Sequence, residues 1–370
     1  MRYPLVADSW GVEERSAILQ VLDSGQLTSG PRVREFEREF ARYVGARYAV
    51  AVNSGSSANL IAVAALSYCS SSPLQPGDEA IVPAVAWATT YAPLQQHGLR
   101  LRIVDVDLET LNMDPQHLEA TLTKRTRLLV GVSILGNPAD LSRMRAFADR
   151  HGLWFLEDNC ESLGAMLYGK CTGTFGHLGT YSLFFSHHLN TVEGGVIVTN
   201  DEELYQLALC LREHGWTRAL KPDGGFYDFV LPGYNVRPTE FLGAVGLIQL
   251  VKLNPQLIIR RKNARLFRTL FATDERFVLQ RENGSSSWFA FTMIAQSTRS
   301  QFLERMSAAG IEHRMVTGGC FTLHPAARYY DFQTVGSLAN AEQVHRNGFF
   351  VGNAGRDLSE ELQYLKEVLK

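Results

Sequence analysis

The sequence predicts an α/β fold. A large domain has a mostly parallel sheet flanked by helices, and a smaller C-terminal α/β domain follows it. Two observations carry this expectation. Short apolar runs alternate with helix-like stretches from about residue 12 to 240, the pattern of strands buried on both faces of a helix-covered sheet. Past Pro238 the pattern changes to a long helix-rich stretch and then a second, shorter alternation. The expected division is residues 1–250 and 251–370.

The elements follow in order. Glu14 to Asp23 carries Ile18, Leu19, Val21 and Leu22, and Gly25 suits a helix stop. Residues 56–66, rich in Ala and Leu, read as a second helix. Strands are expected at 79–82, 101–106, 128–134, 154–157, 181–184 and 195–198. A helix is expected from Asp201 to Glu213, with Asn200 as its N-cap. Residues 240–271 are helix-rich, with Pro255 marking a break or kink and Arg260-Arg261-Lys262 forming a basic patch. A strand at 288–294, a helix at 300–309 and a terminal helix at 360–369 complete the chain.

The totals narrow the function classes. With 370 residues, 20% charged and a formal net charge of -2, the chain lacks the clustered basic excess of a nucleic-acid binder. No apolar run reaches the roughly 20 residues of a membrane span, and Met1-Arg2-Tyr3-Pro4 does not read as a signal peptide. Five cysteines, Cys69, Cys160, Cys171, Cys210 and Cys320, are spread without a CxxC pair. That pattern predicts no metal site and a reduced, cytoplasmic enzyme.

Four local signals carry chemistry. Asn53-Ser54-Gly55-Ser56-Ser57-Ala58-Asn59 opens a helix, where small residues let N–H groups of Gly55 and Ser56 approach a phosphate. Trp87 lies just beyond a strand end, placed to stack on an aromatic ring. In Leu156-Glu157-Asp158-Asn159-Cys160-Glu161-Ser162 a strand ends in carboxylates, at the sheet edge where ligands bind in such folds. Ser182 to Gly195 contains Ser186-His187-His188, then Glu193-Gly194-Gly195. Each signal also has an ordinary reading: a helix cap, a half-buried Trp, a capping carboxylate, a structural histidine pair.

Taken together and in order, these segments resemble the nucleotide-sugar aminotransferase family of the pyridoxal phosphate (PLP) fold type I superfamily. Gly173-Thr174-Phe175-Gly176, His214-Gly215-Trp216-Thr217-Arg218 and Gly233-Tyr234-Asn235-Val236-Arg237 belong to the same resemblance, which covers most of residues 10–260. The family places a lysine six positions into the Ser182 segment, where it bonds PLP covalently. Here that position is His187. A histidine cannot form that covalent bond, yet it moves protons near neutral pH. The resemblance is greatest to the branch of the family that also carries histidine and removes a hydroxyl instead of transferring nitrogen.

The resemblance implies roles for individual residues. Gly55, Ser56 and Ser182 would hold the cofactor phosphate, Trp87 its ring face, Asp158 its ring nitrogen and Glu161 its ring hydroxyl. Asn235 would reach the phosphate from a partner subunit, which implies a homodimer with a shared active site. His214 and Arg218 are expected on the substrate side, and His188 as a packing neighbour. The implied reaction is loss of the C3 hydroxyl from a 4-keto-6-deoxy nucleotide sugar, GDP-linked 4-keto-6-deoxymannose first among them. The active cofactor would be pyridoxamine phosphate (PMP), regenerated by L-glutamate, with His187 as base and then acid. The stretch from Arg218 to Tyr234 is shorter than that branch's pattern. Two other readings stand beside this one: an aminotransferase using a displaced lysine, with Lys170 the nearest, and a cofactor-binding sensor without catalysis. An iron–sulfur dehydrase would need four clustered cysteines, and only Cys160 and Cys171 are close in sequence.

Overall fold

The apolar runs fold into strands whose partners lie far apart in sequence. The computed structural model describes residues 2–221 and 227–370. Its strands are β1 (Tyr48–Val52), β2 (Glu79–Pro83), β3 (Arg100–Val104), β4 (Thr126–Val132), β5 (Trp154–Asp158), β6 (Met166–Leu167), β7 (Lys170–Cys171), β8 (Leu178–Ser182), β9 (Gly195–Thr199), β10 (Phe277–Leu279), β11 (Ala290–Ala295), β12 (His313–Met315), β13 (Phe332–Val335) and β14 (Gly348–Gly352). The helices are α1 (Val12–Ser24), α2 (Pro31–Val44), α3 (Gly55–Tyr68), α4 (Ala88–Gln96), α5 (Leu118–Thr121), α6 (Leu141–His151), α7 (Glu202–Arg212), α8 (Glu240–Phe271), α9 (Ser300–Ala308), α10 (Ala339–Asn347) and α11 (Ser359–Val368).

Eight strands form one sheet in the order β1-β9-β8-β5-β4-β2-β3-β13. From β8 to β13 every neighbour is parallel, while β9 is antiparallel to both β1 and β8. The central strands are buried along almost their whole length, so helices must cover both faces. The second sheet, β10-β11-β14-β12, is antiparallel throughout. The predicted α/β architecture is the observed one.

Several local expectations are corrected. The strand expected at 181–184 is β8, Leu178–Ser182. Pairing with β5 and β9 ends it at Ser182, although the apolar run continues through Leu183 and Phe184. The N-cap of α7 is Asp201, whose carboxylate accepts from Leu204 N at 3.0 Å; Asn200 instead accepts from Arg47 N at 2.7 Å. Pro255 does not break its segment, because α8 is one helix of 32 residues. By length and composition α8 could also cross a bilayer. Here it is a core helix packed on α1, α2 and α11. Gly246 allows that approach, since a Cβ there would stand 2.7 Å from the Phe36 ring. The expected division at residue 250 falls inside α8.

The C-terminal sheet and α11 share a core with Tyr3, Phe267 and Phe271. Tyr3 pairs with Ile311, and β13 returns to the edge of the large sheet beside β3. The parallel strands β2, β4 and β5 all end at one edge. The loops that follow carry Trp87, Leu135 and Glu161, the place where open α/β sheets bind ligands.

Candidate active site

The N-terminus of α3 forms the first wall. Ser54 caps the helix by accepting from Ser57 N at 3.0 Å. The N–H groups of Gly55 and Ser56, one residue earlier in the turn, find no acceptor among the described residues. Gly55 is required by space: a Cβ there would stand 2.7 Å from Ser182 Cβ and 3.0 Å from Cys160 Sγ. Gly195 answers to the same constraint, since its Cβ would lie 2.2 Å from Ser54 O. Ser182, buried at the end of β8, accepts from Phe184 N at 3.3 Å. Ser56 Oγ lies 2.8 Å from Thr89 Oγ1, which ties α3 to the start of α4.

The second wall is the end of β5. Asp158 is buried. Its Oδ2 accepts from Asn59 Nδ2 at 2.9 Å and from Thr90 Oγ1 at 2.7 Å, and its Oδ1 accepts from Cys160 N at 3.1 Å. Asn59 is oriented in turn by the Thr180 hydroxyl, 2.6 Å from its Oδ1. Trp87 is the N-cap of α4 and 57% exposed. Glu157 is fully buried and clamps the Gly173–Gly176 turn, accepting from Gly173 N at 2.7 Å and from Gly176 N. Burial pushes its carboxyl up to about 7.

Glu161 faces a loop of the C-terminal part. Leu135 N donates to its Oε2 at 2.9 Å, and Thr317 Oγ1 lies 3.4 Å from the same oxygen. Both partners hold left-handed backbone, φ 52° at Leu135 and 43° at Thr317, a strained state that concentrates at functional sites. Burial, with Asp158 adding to it, raises the Glu161 carboxyl to about 7 against the Leu135 and Thr317 hydrogen bonds. Beside Thr317, a Cβ at Gly318 would stand 2.5 Å from Ala86 O, so this loop abuts the Trp87 segment.

His187 sits on the loop leaving β8. Its backbone N donates to Phe184 O at 2.8 Å. Its imidazole meets the Phe289 ring edge-on, with centroids 5.0 Å apart, and its Nδ1 lies 3.3 Å from Ser186 Oγ. Burial, then the Arg260 charge, push this imidazole down to about 3. At neutral pH it is therefore an uncharged base, and once protonated a strong acid. His188 is buried, with Nε2 3.1 Å from Ser287 O, in keeping with a packing role.

The remaining expected residues form a separate group. Asn235 is exposed and pairs with Glu213 across an isolated bridge, and its Oδ1 accepts from Arg237 Nε at 3.2 Å. His214 adopts φ 63° and donates its N–H to Tyr234 O at 2.7 Å. The Arg218 guanidinium lies 5.1 Å from the Trp216 ring centroid. Among the described residues, no hydrogen bond joins this group's side chains to Gly55, Asp158, Ser182 or His187. One backbone bond, Asn53 N to Val236 O at 3.0 Å, holds the segment beside the α3 turn. Within the shorter 218–234 stretch, residues 222–226 lie outside the described residues. Lys170 lies in the two-residue ladder of β6 and β7, its ammonium 4.6 Å from the Phe175 ring centroid.

The donor set fits a pyridine ring that carries a phosphate. Two unpartnered helix N–H groups and a serine hydroxyl suit the phosphate. A buried carboxylate suits a protonated ring nitrogen, and an exposed indole suits the ring face. No group of three or more His, Cys, Asp or Glu side chains among the described residues is disposed to hold a metal ion.

Residues 8–364 match the DegT/DnrJ/EryC1/StrS aminotransferase family. The chain belongs to this family. Among its relatives, a GDP-4-keto-6-deoxy-D-mannose 3-dehydratase of Escherichia coli O55:H7 is 45% identical, and the alignment covers all of both chains. It spans 387 positions, more than this chain's 370 residues, so that relative carries positions this chain lacks. A solved GDP-4-keto-6-deoxymannose-3-dehydratase, a histidine-to-asparagine variant holding GDP-perosamine, is 44% identical over the full length of both chains with a TM-score of 0.97. A second solved dehydratase of that name, with a trapped PLP-glutamate geminal diamine, is 44% identical over the same extent with a TM-score of 0.96. The family's fold thus holds a dehydratase that binds PLP.

Asn59, Thr90, Thr180, Thr317 and Phe289 were not singled out from the sequence. Asn59 lay inside a quoted motif and offered a signal: a buried amide one helical turn beyond the phosphate-binding glycine. The others are common residues brought in from distant segments.

Proposed function

We propose that this chain is a PMP-dependent 3-dehydratase that removes the C3 hydroxyl of a 4-keto-6-deoxy nucleotide sugar, with GDP-4-keto-6-deoxy-D-mannose its substrate. One observation carries the reading: His187, edge-packed on Phe289, stands at the lysine position of the segment that leaves Ser182, and Ser182 lies against the Gly55 turn. When bound, the cofactor supplies an amine for the C4 ketone and a ring that stores the electron pair left by a departing proton. His187 takes that proton. Asp158, oriented by Asn59 and Thr90, keeps the ring nitrogen protonated and the ring electron-withdrawing. His187, now an imidazolium of low pKa, returns its proton to the leaving C3 hydroxyl, each role contributing roughly 10²–10⁴ in rate. The C3 hydroxyl would leave as water, and hydrolysis of the nitrogen on C4 would give a 3-deoxy-4-keto sugar and ammonia. The two electrons that the sugar gains would come from PMP, and L-glutamate would return them to the resulting PLP.

Gly55, Ser56 and Ser182 hold the phosphate in this reading, Trp87 covers the ring, and Glu161 meets the ring hydroxyl. His214 and Arg218 lie on the nucleotide-sugar side. The exposed Asn235 side chain suits a contact to the phosphate of a second copy, which makes a homodimer with shared sites the working unit. The reading also places the enzyme in the cytoplasm, in deoxysugar synthesis. Lys170, resting on Phe175, offers no support for a displaced attachment lysine.

The test is direct. The protein is incubated with PLP, L-glutamate and GDP-4-keto-6-deoxymannose, and the product is weighed by mass spectrometry. A sugar lacking one oxygen, with free ammonia, is expected. A sugar that carries nitrogen would mean an aminotransferase, and no turnover of any 4-keto sugar nucleotide would mean a sensor.

A further inference from the structure

The apparent basic patch at Arg260-Arg261-Lys262 is not a surface patch. Arg260 is buried. Its Nη1 donates to Asn353 O at 3.0 Å and to Phe289 O at 3.3 Å, and lies 3.5 Å from Trp288 O. Arg261 Nε donates to Ser286 O at 3.0 Å. The two arginines therefore grip the segment whose Phe289 ring packs against both His187 and His188. Trp288 in that segment holds φ 48°, a conformation that needs external support. Among the described residues no carboxylate lies within ion-pair reach of Arg260, and its buried Nε has no partner. Burial lowers the guanidinium only to about 10, so it stays charged at neutral pH. A buried cation without a counter-charge is costly, and this one holds the backbone of the residue whose ring packs on the expected catalytic base.

We infer that Arg260 is a positioning residue for His187: by binding the carbonyls of Trp288 and Phe289 it fixes the backbone that presents the Phe289 ring edge-on to the imidazole. Its charge also disfavours the imidazolium, which weakens His187 as a base and strengthens the acid it becomes once protonated. The groups packed on His187 leave Arg260 as the charge that acts on it. Its own loop brings Phe184, Ser186 and His188, and the 287–289 segment brings Phe289. Burial, then Arg260, hold His188 well below the usual histidine range, with His187 and Arg261 adding to them and the Ser287 carbonyl opposing. Phe289 meets both rings edge-on.

The inference rests on His187 being the base, so its first readout needs no reaction. The His187 imidazole is titrated by NMR in the full-length protein, its signal assigned by loss in His187→Asn. Arg260→Met is expected to raise the midpoint by about one pH unit or more, roughly tenfold in proton affinity. Arg260→Lys, which keeps the charge, is expected to leave it near the native value while lowering kcat and sparing KM. Phe289→Leu is expected to slow turnover without moving the midpoint. An unmoved midpoint in a folded Arg260→Met protein overturns the inference. If Arg260→Met does not fold, Arg260→Lys decides: a midpoint that rises to the ordinary histidine value despite the retained charge overturns it. Because the titration is made without substrate, its outcome is separate from whether the sugar reaction is the one proposed.

Discussion

Asn59 and Asp158 are joined by a 2.9 Å hydrogen bond from the amide to the carboxylate, although 99 positions separate them. The bond links the helix that would hold a phosphate to the strand end that would hold a ring nitrogen. Thr90 completes it from a third segment at 2.7 Å. A Thr90→Val variant removes one hydroxyl and little volume. Losing one buried hydrogen bond costs about 0.5–1.5 kcal/mol, so PMP affinity is expected to fall about two- to twelvefold, read by equilibrium dialysis. Unchanged affinity would mean that Asp158 needs no such support.

His187→Asn keeps a polar side chain but cannot relay a proton. It is expected to bind PMP and to lose dehydration by roughly 10²–10⁴. A single-turnover assay with PMP-loaded protein measures this, and a native rate would remove His187 from the chemistry.

His187→Lys restores the attachment residue. The purified variant is expected to be yellow and to carry PLP fixed on residue 187 after borohydride treatment, located by peptide mass spectrometry. A colourless variant without such an adduct would show that position 187 does not face the reactive carbon.

Glu161 supplies a pH dependence. Its carboxyl, raised by burial to about 7, is neutral below that value and charged above it. Charging it beside an anionic ligand is unfavourable, so PMP affinity is expected to fall as pH rises through about 7. The same sign holds for stability: the neutral form favours the fold below the unfolded pKa, and that contribution is lost as pH rises through the folded one. Calorimetric titration with PMP from about pH 6 to about pH 8 checks the binding effect, and Glu161→Gln should flatten it.

Gly55→Ala places a methyl group 2.7 Å from Ser182 Cβ. Overpacking of this kind costs about 1–3 kcal/mol. A lower Tm together with weaker PMP binding is expected. A variant that binds PMP as the native protein does would mean the α3 turn can yield.

The parts of the site legible in the sequence are those written in consecutive residues: the Asn53–Asn59 turn, Glu157 to Ser162, and the Ser182 to Gly195 loop. Each carries backbone requirements that leave small residues and carboxylates at fixed spacings. Arg260 shows why the rest was hidden. Beside Arg261 and Lys262 it reads as a charged patch, and only the tertiary path of α8 turns it inward toward Trp288 and Phe289. Thr317 likewise reaches Glu161 from 156 positions away and has no local pattern to announce it. At the fold level, β13 is a four-residue run of mixed polarity, too short and too wet for periodicity to mark it as a strand of the large sheet.

That edge strand has a mechanical meaning. The chain sends α8 out of the large layer, builds the small sheet, and returns β13 to lie beside β3, while Tyr3 at the other end is sewn to Ile311. After β13 the chain returns to β14 in the small sheet, so four separate threads cross between the lobes. A protease nick between β12 and β13 would leave fragments interlocked, travelling as one particle until a denaturant drew the threads out.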